Sequence, residues 1–331
     1  MLDHVGPALC LASAALFGAM PIFGRFAYEA GVSPSALLLV RFSLAALLLT
    51  MLLLARPGLR RIAADAHPSG PPGRPTMSRA WTVVVAFGLG AVGYAAQAGL
   101  YFSALQRLDA SLVSLILYTY PVLVTGAAVL LGRDRLNRWR SVALLTACGG
   151  ILLVLLGSGS MHLQPVGALL AFGSAVVYTS YILVSDTVVQ RLAPVALAAV
   201  VMTGAAATLA VKALLTGVDL TFGWRGWFWL ACIAVVSTVL AMVTFFAGLR
   251  RTGASAAGIL STLEPVVTSA LAALTLGESL SLVQVLGGVL VLSSAGILQI
   301  QPGRTARLTP TPGRPKAVEP AAALRPPAVV P

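Results

Sequence analysis

Two ionisable side chains, Arg41 and Glu264, stand inside long apolar runs of this chain. Placing a charge at the centre of a bilayer costs about 2.5–3.5 kcal/mol even on the lenient insertion scale, so such a residue is a functional candidate first. At 1.5 Å per helical residue, Glu264 lies about 15 Å from the start of its run and Arg41 about 12 Å from the opposite end of its own. In a hydrocarbon core about 30 Å thick those depths differ by only about 3 Å. A carboxylate and a guanidinium at matching depth can pair across a central cavity and stay available to a charged solute or a proton. The competing expectations are a structural ion pair that locks two helices, or an Arg41 that snorkels outward.

Polar aromatic residues form a second group. Tyr118, Tyr120, Tyr178 and Tyr181 fall at mid-membrane depth and not at the interfaces that aromatic belts favour. A phenol there needs a hydrogen-bond partner, which a cavity wall supplies. Gln97 joins them as a candidate for solute binding or coupling, with Tyr94 and Thr244 behind it. Pro121 and Pro265 are expected mid-helix, where each removes a backbone donor and frees a carbonyl, so they are candidates for kinking and gating. The plainer alternative is the general tolerance of proline in membrane helices.

The elements that must position these residues are apolar helices. The chain has 331 residues, 58% hydrophobic and 10% charged, and a mean hydropathy of +0.92, outside the range of a soluble domain. Ten runs are long enough to be read as crossings: 5–23, 33–54, 81–102, 110–131, 141–156, 166–184, 194–215, 227–246, 254–276 and 280–300. The fifth is the shortest. Trp81, Trp139, Trp224, Trp227 and Trp229 all lie at or just outside run ends, as interfacial indoles should. The Pro-rich stretch 56–79 and the Pro- and Arg-rich tail 301–331 read as unpacked segments.

The net charge of +12 is carried between the runs and not on a basic module with interleaved aromatics, which excludes a nucleic-acid partner. If the runs alternate from an internal N-terminus, one side collects Arg56, Arg60, Arg61, Arg74, Arg79, Arg133, Arg135, Arg138, Arg140, Arg191, Arg250, Arg251 and the tail cations. The other holds Arg25, Arg107 and Arg225. The positive-inside rule then makes both termini cytoplasmic. Residue usage rich in Ala, Leu and Arg suggests a high-GC bacterium, hence a multi-pass protein of the bacterial inner membrane. Cys10, Cys148 and Cys232 are isolated within apolar runs, so no disulfide framework, metal site or cofactor is expected.

The chain also aligns with itself. Tyr101 to Ser111 lies on Phe245 to Ser255, and the same register lays Pro121 on Pro265. Gly132 and Gly277 follow, then the pairs Gly149-Gly150 and Gly287-Gly288, while Pro34 matches Pro194. Five helices per copy is an odd number, so the second copy enters the membrane inverted. The expected fold is all-α integral membrane, with ten transmembrane helices in two inverted five-helix repeats at 5–156 and 166–300.

This arrangement, with Leu263-Glu264-Pro265-Val266 and Leu276-Gly277-Glu278 in the second half, resembles the EamA-type members of the drug/metabolite transporter superfamily. The first half departs from it, with Tyr120 before Pro121 and Gly132-Arg133-Asp134 in place of a Gly-Glu pair. The resemblance implies a carrier, not an enzyme, that moves a small-molecule solute, amino-acid-like or a drug, commonly outward by alternating access. A proton or sodium gradient is the candidate drive, the lipid bilayer is the constant partner, and a homodimer stays open as the assembly. The alternatives are an intramembrane enzyme and a non-transporting membrane sensor. The enzyme reading lacks a motif: there is no HExxH, Walker loop or nucleophile elbow, Gly157-Ser158-Gly159-Ser160 reads as a turn, and His4, His67 and His162 lie in terminal or loop positions.

Overall fold

In a computed structural model the described residues are 4–60, 78–105, 107–108, 113, 116–134, 137–156, 164–276 and 281–299. The Gly157–Ser160 turn, Gly277-Glu278, His67, His162, most of the 56–79 stretch and the 301–331 tail lie outside them. Among the described residues the secondary structure is entirely helical. In chain order the elements are α1 (Val5–Gly18), α2 (Met20–Glu29), α3 (Pro34–Ala55), α4 (Arg79–Gly88), α5 (Ala95–Leu105), α6 (Tyr120–Leu130), α7 (Arg138–Leu156) and α8 (Pro165–Val188). They continue with α9 (Pro194–Thr216), α10 (Trp224–Ala234), α11 (Ala241–Thr252), α12 (Ala254–Ser261), α13 (Glu264–Leu276) and α14 (Leu282–Gln299).

Among the described residues, seven segments are long and apolar enough to cross a membrane: Val5–Glu29, Pro34–Ala55, Ala80–Tyr101, Pro165–Val188, Pro194–Thr216, Trp224–Thr252 and Ala254–Thr275. The remaining expected runs fall on the shorter apolar helices α6 and α14 and on α7. The helix of the fifth run, α7, begins three residues before the apolar stretch, with Arg138, Trp139 and Arg140. One expected run needs correction. The eighth does not stop at Phe246; it continues to Thr252, where Arg250 and Arg251 complement the negative end of the helix dipole before Gly253 turns the chain at φ +81°.

Start signals explain the other boundaries. Ser33 caps α3 through its Oγ, which accepts from the Ala36 N–H at 3.2 Å, and Pro34 occupies the first turn. Pro165 and Pro194 open α8 and α9 in the same way. Ala19 and Pro21 divide the first crossing into α1 and α2.

Two helices widen locally. Leu89–Tyr94, between α4 and α5, and Val235–Leu240, between α10 and α11, are π-helical turns. Side chains take up carbonyls in and beside these turns: Thr208 Oγ1 donates to Ala91 O at 2.8 Å, Thr238 Oγ1 to Ile233 O at 2.9 Å and Ser13 Oγ to Ala241 O at 2.8 Å. With no water in the hydrocarbon region, such partners are what make an irregular turn tolerable there.

The bundle is held by close backbone approaches at small residues, as expected where lipid removes the hydrophobic drive for helix association. α9 crosses the first π-turn so closely that a Cβ on Gly90 would stand 1.8 Å from Val201 O, and one on Gly204 would stand 2.3 Å from Phe87 O. α7 and α14 pair along their length, with Gly150 against the Gly287 backbone.

Gly90→Ala or Gly204→Ala therefore forces α9 off α4, and each should cost about 3 kcal/mol. Gly88→Ala, with nothing within 4 Å of the added carbon, should be neutral or slightly stabilising. Thermal melts of the three purified variants check this.

Candidate functional site

The inward face of α3 carries Leu37, Leu38, Arg41, Phe42, Ala45 and Leu49, so helical periodicity alone carries Arg41 into the interior. It is 4% exposed. Its Nε donates to Thr238 Oγ1 at 2.7 Å and its Nη2 donates to Tyr94 Oη at 3.1 Å. One face of the guanidinium lies 4.9 Å from the centroid of the Phe42 ring. Both acceptors sit on the π-turns, Tyr94 ending the first and Thr238 lying within the second. They are also matched residues, since the register that lays Tyr101 on Phe245 lays Tyr94 on Thr238. The guanidinium thus ties together the equivalent points of two widened helices.

From Tyr94 an unbroken series of aromatic contacts leads away. Phe42 meets Tyr94 edge-on at 5.1 Å, Tyr94 stacks on Tyr181 at 5.5 Å, and Tyr181 stacks on Tyr178 at 6.0 Å. Tyr178 then meets Tyr120 edge-on at 4.8 Å, and Tyr120 lies 6.0 Å from Tyr118. Tyr118 interacts in turn with the Glu264 side chain. The four tyrosines expected to line a cavity are therefore one packed series of rings, with Tyr118, Tyr120 and Tyr181 buried, joined to Arg41 through Tyr94.

Glu264 is the first residue of α13. The turn at Thr262-Leu263 separates α12 from α13, and the turn at Tyr118-Thr119 precedes α6, so the matched crossings break at matched positions. Pro121 and Pro265 are consequently not mid-helix. Each is the second residue of a new helical segment, where its missing N–H needs no partner. Glu264 gains from the positive end of the α13 dipole, and its backbone is pinned to α1: Thr268 Oγ1 donates to both Gly18 O at 2.8 Å and Glu264 O at 3.1 Å.

The direct pair between Arg41 and Glu264 is not made. They are within electrostatic range, but among the described residues Arg41 has no carboxylate within 4 Å. Equal depth fixes one coordinate along the membrane normal and leaves the lateral separation free. Gln97 stands apart as well: its Nε2 donates to Ser174 Oγ at 3.2 Å, which returns a bond to Gln97 O at 3.2 Å, fastening α5 to α8. Thr244 bonds only to carbonyls of its own helix, Leu240 O and Ala241 O. Thr238 was the residue that sequence reading missed; the internal alignment could have found it opposite Tyr94.

Residues 4–156 and again 165–299 match the model of the EamA-like transporter family. The chain belongs to that family, and with it to the drug/metabolite transporter superfamily. A Bacillus subtilis protein named "Uncharacterized transporter YcbK" is 30% identical over 295 residues, covering 85% of this chain and 88% of its own. "Uncharacterized transporter YwfM" from the same organism is 31% identical over 229 residues, 65% of this chain and 74% of that one. An Archaeoglobus fulgidus protein named "Uncharacterized transporter" is 28% identical over 200 residues, 60% of this chain and 69% of that one. A solved structure titled "Crystal structure of protein" superposes with a TM-score of 0.74 over 89% of this chain and 98% of that one, at 19% identity, which extends the likeness of fold. As an EamA-family protein with seven such spans, this is a multi-pass membrane transporter.

Removing either acceptor leaves a buried guanidinium N–H unsatisfied. Tyr94→Phe and Thr238→Val should each lower stability by about 1.5–3 kcal/mol. Because both act on Arg41, the double variant should fall short of the sum, which a double-mutant cycle on detergent-solubilised protein measures.

Proposed function

We propose that this protein is a secondary carrier which moves a small amino-acid-like metabolite or drug out of a bacterial cell by alternating access. In this reading ten crossings form two inverted five-helix repeats with both termini in the cytoplasm, and a proton or sodium gradient or the solute's own gradient drives the cycle. The observation that carries it is the paired irregularity of the two family-matched halves: equivalent π-turns meet at Arg41, and equivalent breaks precede Pro121 and Pro265. Discontinuous helices facing each other near mid-membrane are how carriers build a solute site from backbone ends and a few polar side chains. Arg41, the tyrosine series and Glu264 supply those side chains here.

Contacts at the arginine-bearing end support a gated state. Gly258 of α12 faces Pro121 and Val124 of α6, Arg133 Nη1 donates to Leu183 O at 2.8 Å, and Gln190 Nε2 donates to Arg250 O at 2.8 Å. α6 and α12 thus close on each other at this end, while the breaks at Tyr118-Thr119 and Thr262-Leu263 give each crossing a joint about which its two segments can swing. Opening requires those few polar links to part and α6 to leave α12, a change of the hinge type.

The test is efflux from proteoliposomes loaded with a mixture of amino acids and cationic drugs, followed by mass spectrometry. Loss of at least one solute should exceed that from empty liposomes and fall more than tenfold in Glu264→Gln; efflux of none under any imposed gradient would sink the carrier reading. Pro121→Ala and Pro265→Ala should mend the joints and slow transport about tenfold without lowering the melting temperature. Cysteines at Arg138 and Arg225 should label from opposite sides of intact cells.

A further inference from the structure

Resting on the carrier reading, the Arg41 node defines the solute more closely. A buried charge costs several kcal/mol after relaxation unless paired and fully hydrogen-bonded. Arg41 is hydrogen-bonded to two neutral hydroxyls, Glu264 acts on it from a distance without contact, and the remaining Arg41 donors, both hydrogens of Nη1 included, have no hydrogen-bond partner among the described residues. Tyr181 stacks on the ring of Tyr94, the residue that accepts from Nη2, and its buried hydroxyl lies beside Ser185 Oγ one turn further along α8. A buried guanidinium held along one edge by neutral hydroxyls, with its other edge unused, is a polar site that can accept an anionic group.

We propose that Arg41 is the docking point for a carboxylate of the transported solute, that Tyr94 and Thr238 are positioning residues which aim its unused edge, and that the solute's apolar body lies along the tyrosine series. A guanidinium presents parallel N–H groups that match a planar carboxylate better than a spherical ion, so organic monocarboxylates should bind ahead of chloride. Thr238 has a definite geometric part: its hydroxyl donates to Ile233 O, which directs its lone pairs toward Arg41 Nε and so fixes the plane of the guanidinium. The second half has Val201 where the first has Arg41, so this charged anchor occurs at one of the two matched crossings.

Equilibrium dialysis of the purified full-length protein with labelled benzoate tests the proposal, with unlabelled acetate, benzyl alcohol and chloride as competitors. Benzoate should bind saturably, yield to acetate and not to benzyl alcohol or chloride, lose binding in Arg41→Gln, and bind more weakly in Arg41→Lys, which keeps the charge and loses the fork. Thr238→Val should weaken it about tenfold while the protein stays monodisperse. Equal binding by wild type and the folded Arg41 variants, no binding to folded wild type, or displacement by chloride as readily as by acetate would each overturn the proposal. If Arg41→Gln does not fold, Arg41→Lys and Thr238→Val decide. Benzoate binding that needs Arg41, in a protein whose liposomes pass no solute, would sink the carrier reading and keep the subsite. Transport undiminished in Arg41→Lys and Thr238→Val would keep the carrier and sink the subsite.

Discussion

A backbone group that leaves its helix inside a hydrocarbon layer must find a partner in the protein, and this requirement orders the structure around the site. Each departure from regular helix is met by a hydroxyl: Thr208 beside the first π-turn, Thr238 and Ser13 at the second, Thr268 at the junction of α1 with α13. Those hydroxyls tie separate segments together, so irregular backbone and cross-bundle contact occur at the same points. Arg41 exploits this, since a widened turn displaces a side chain from its regular position and gives a guanidinium something polar to reach.

The membrane class, the helical runs and the internal alignment were all legible in the chain, because apolar length and proline or glycine spacing report directly on helices in lipid. Arg41, Glu264 and the tyrosines were legible for a related reason: polarity is scarce in such runs, so each instance is informative. The π-turns were not. An extra residue in a turn has no residue type of its own to mark it: the glycines of Leu89–Tyr94 suit close helix packing as well, and Val235–Leu240 reads as ordinary apolar helix. The proposed Arg41–Glu264 contact failed because counting residues along a helix yields depth and says nothing about azimuth within the bundle. Pro121 and Pro265 marked the right places with the wrong local geometry: the helices restart at these residues and do not bend through them.

Aromatic packing links the two ends of the site without a single salt bridge. Ring contacts run unbroken from Phe42 to Tyr118 through five phenols, so the rings supply apolar packing while the Tyr94 and Tyr118 hydroxyls reach Arg41 and Glu264.

The matched crossings over the two π-turns are solved in different ways. α3 spans its gap with the long side chain of Arg41, whereas α9, at the position matched by Val201, lies directly on Gly90 with its own backbone. Two identical five-helix chains assembled about a twofold axis would have to repeat one solution, carrying either a pair of guanidiniums or none. Joining the halves in one polypeptide removes that constraint, so one crossing can serve as mechanical seam and the other as chemical contact. The two family-matched halves therefore meet the same geometric demand in different ways at a single pair of equivalent residues.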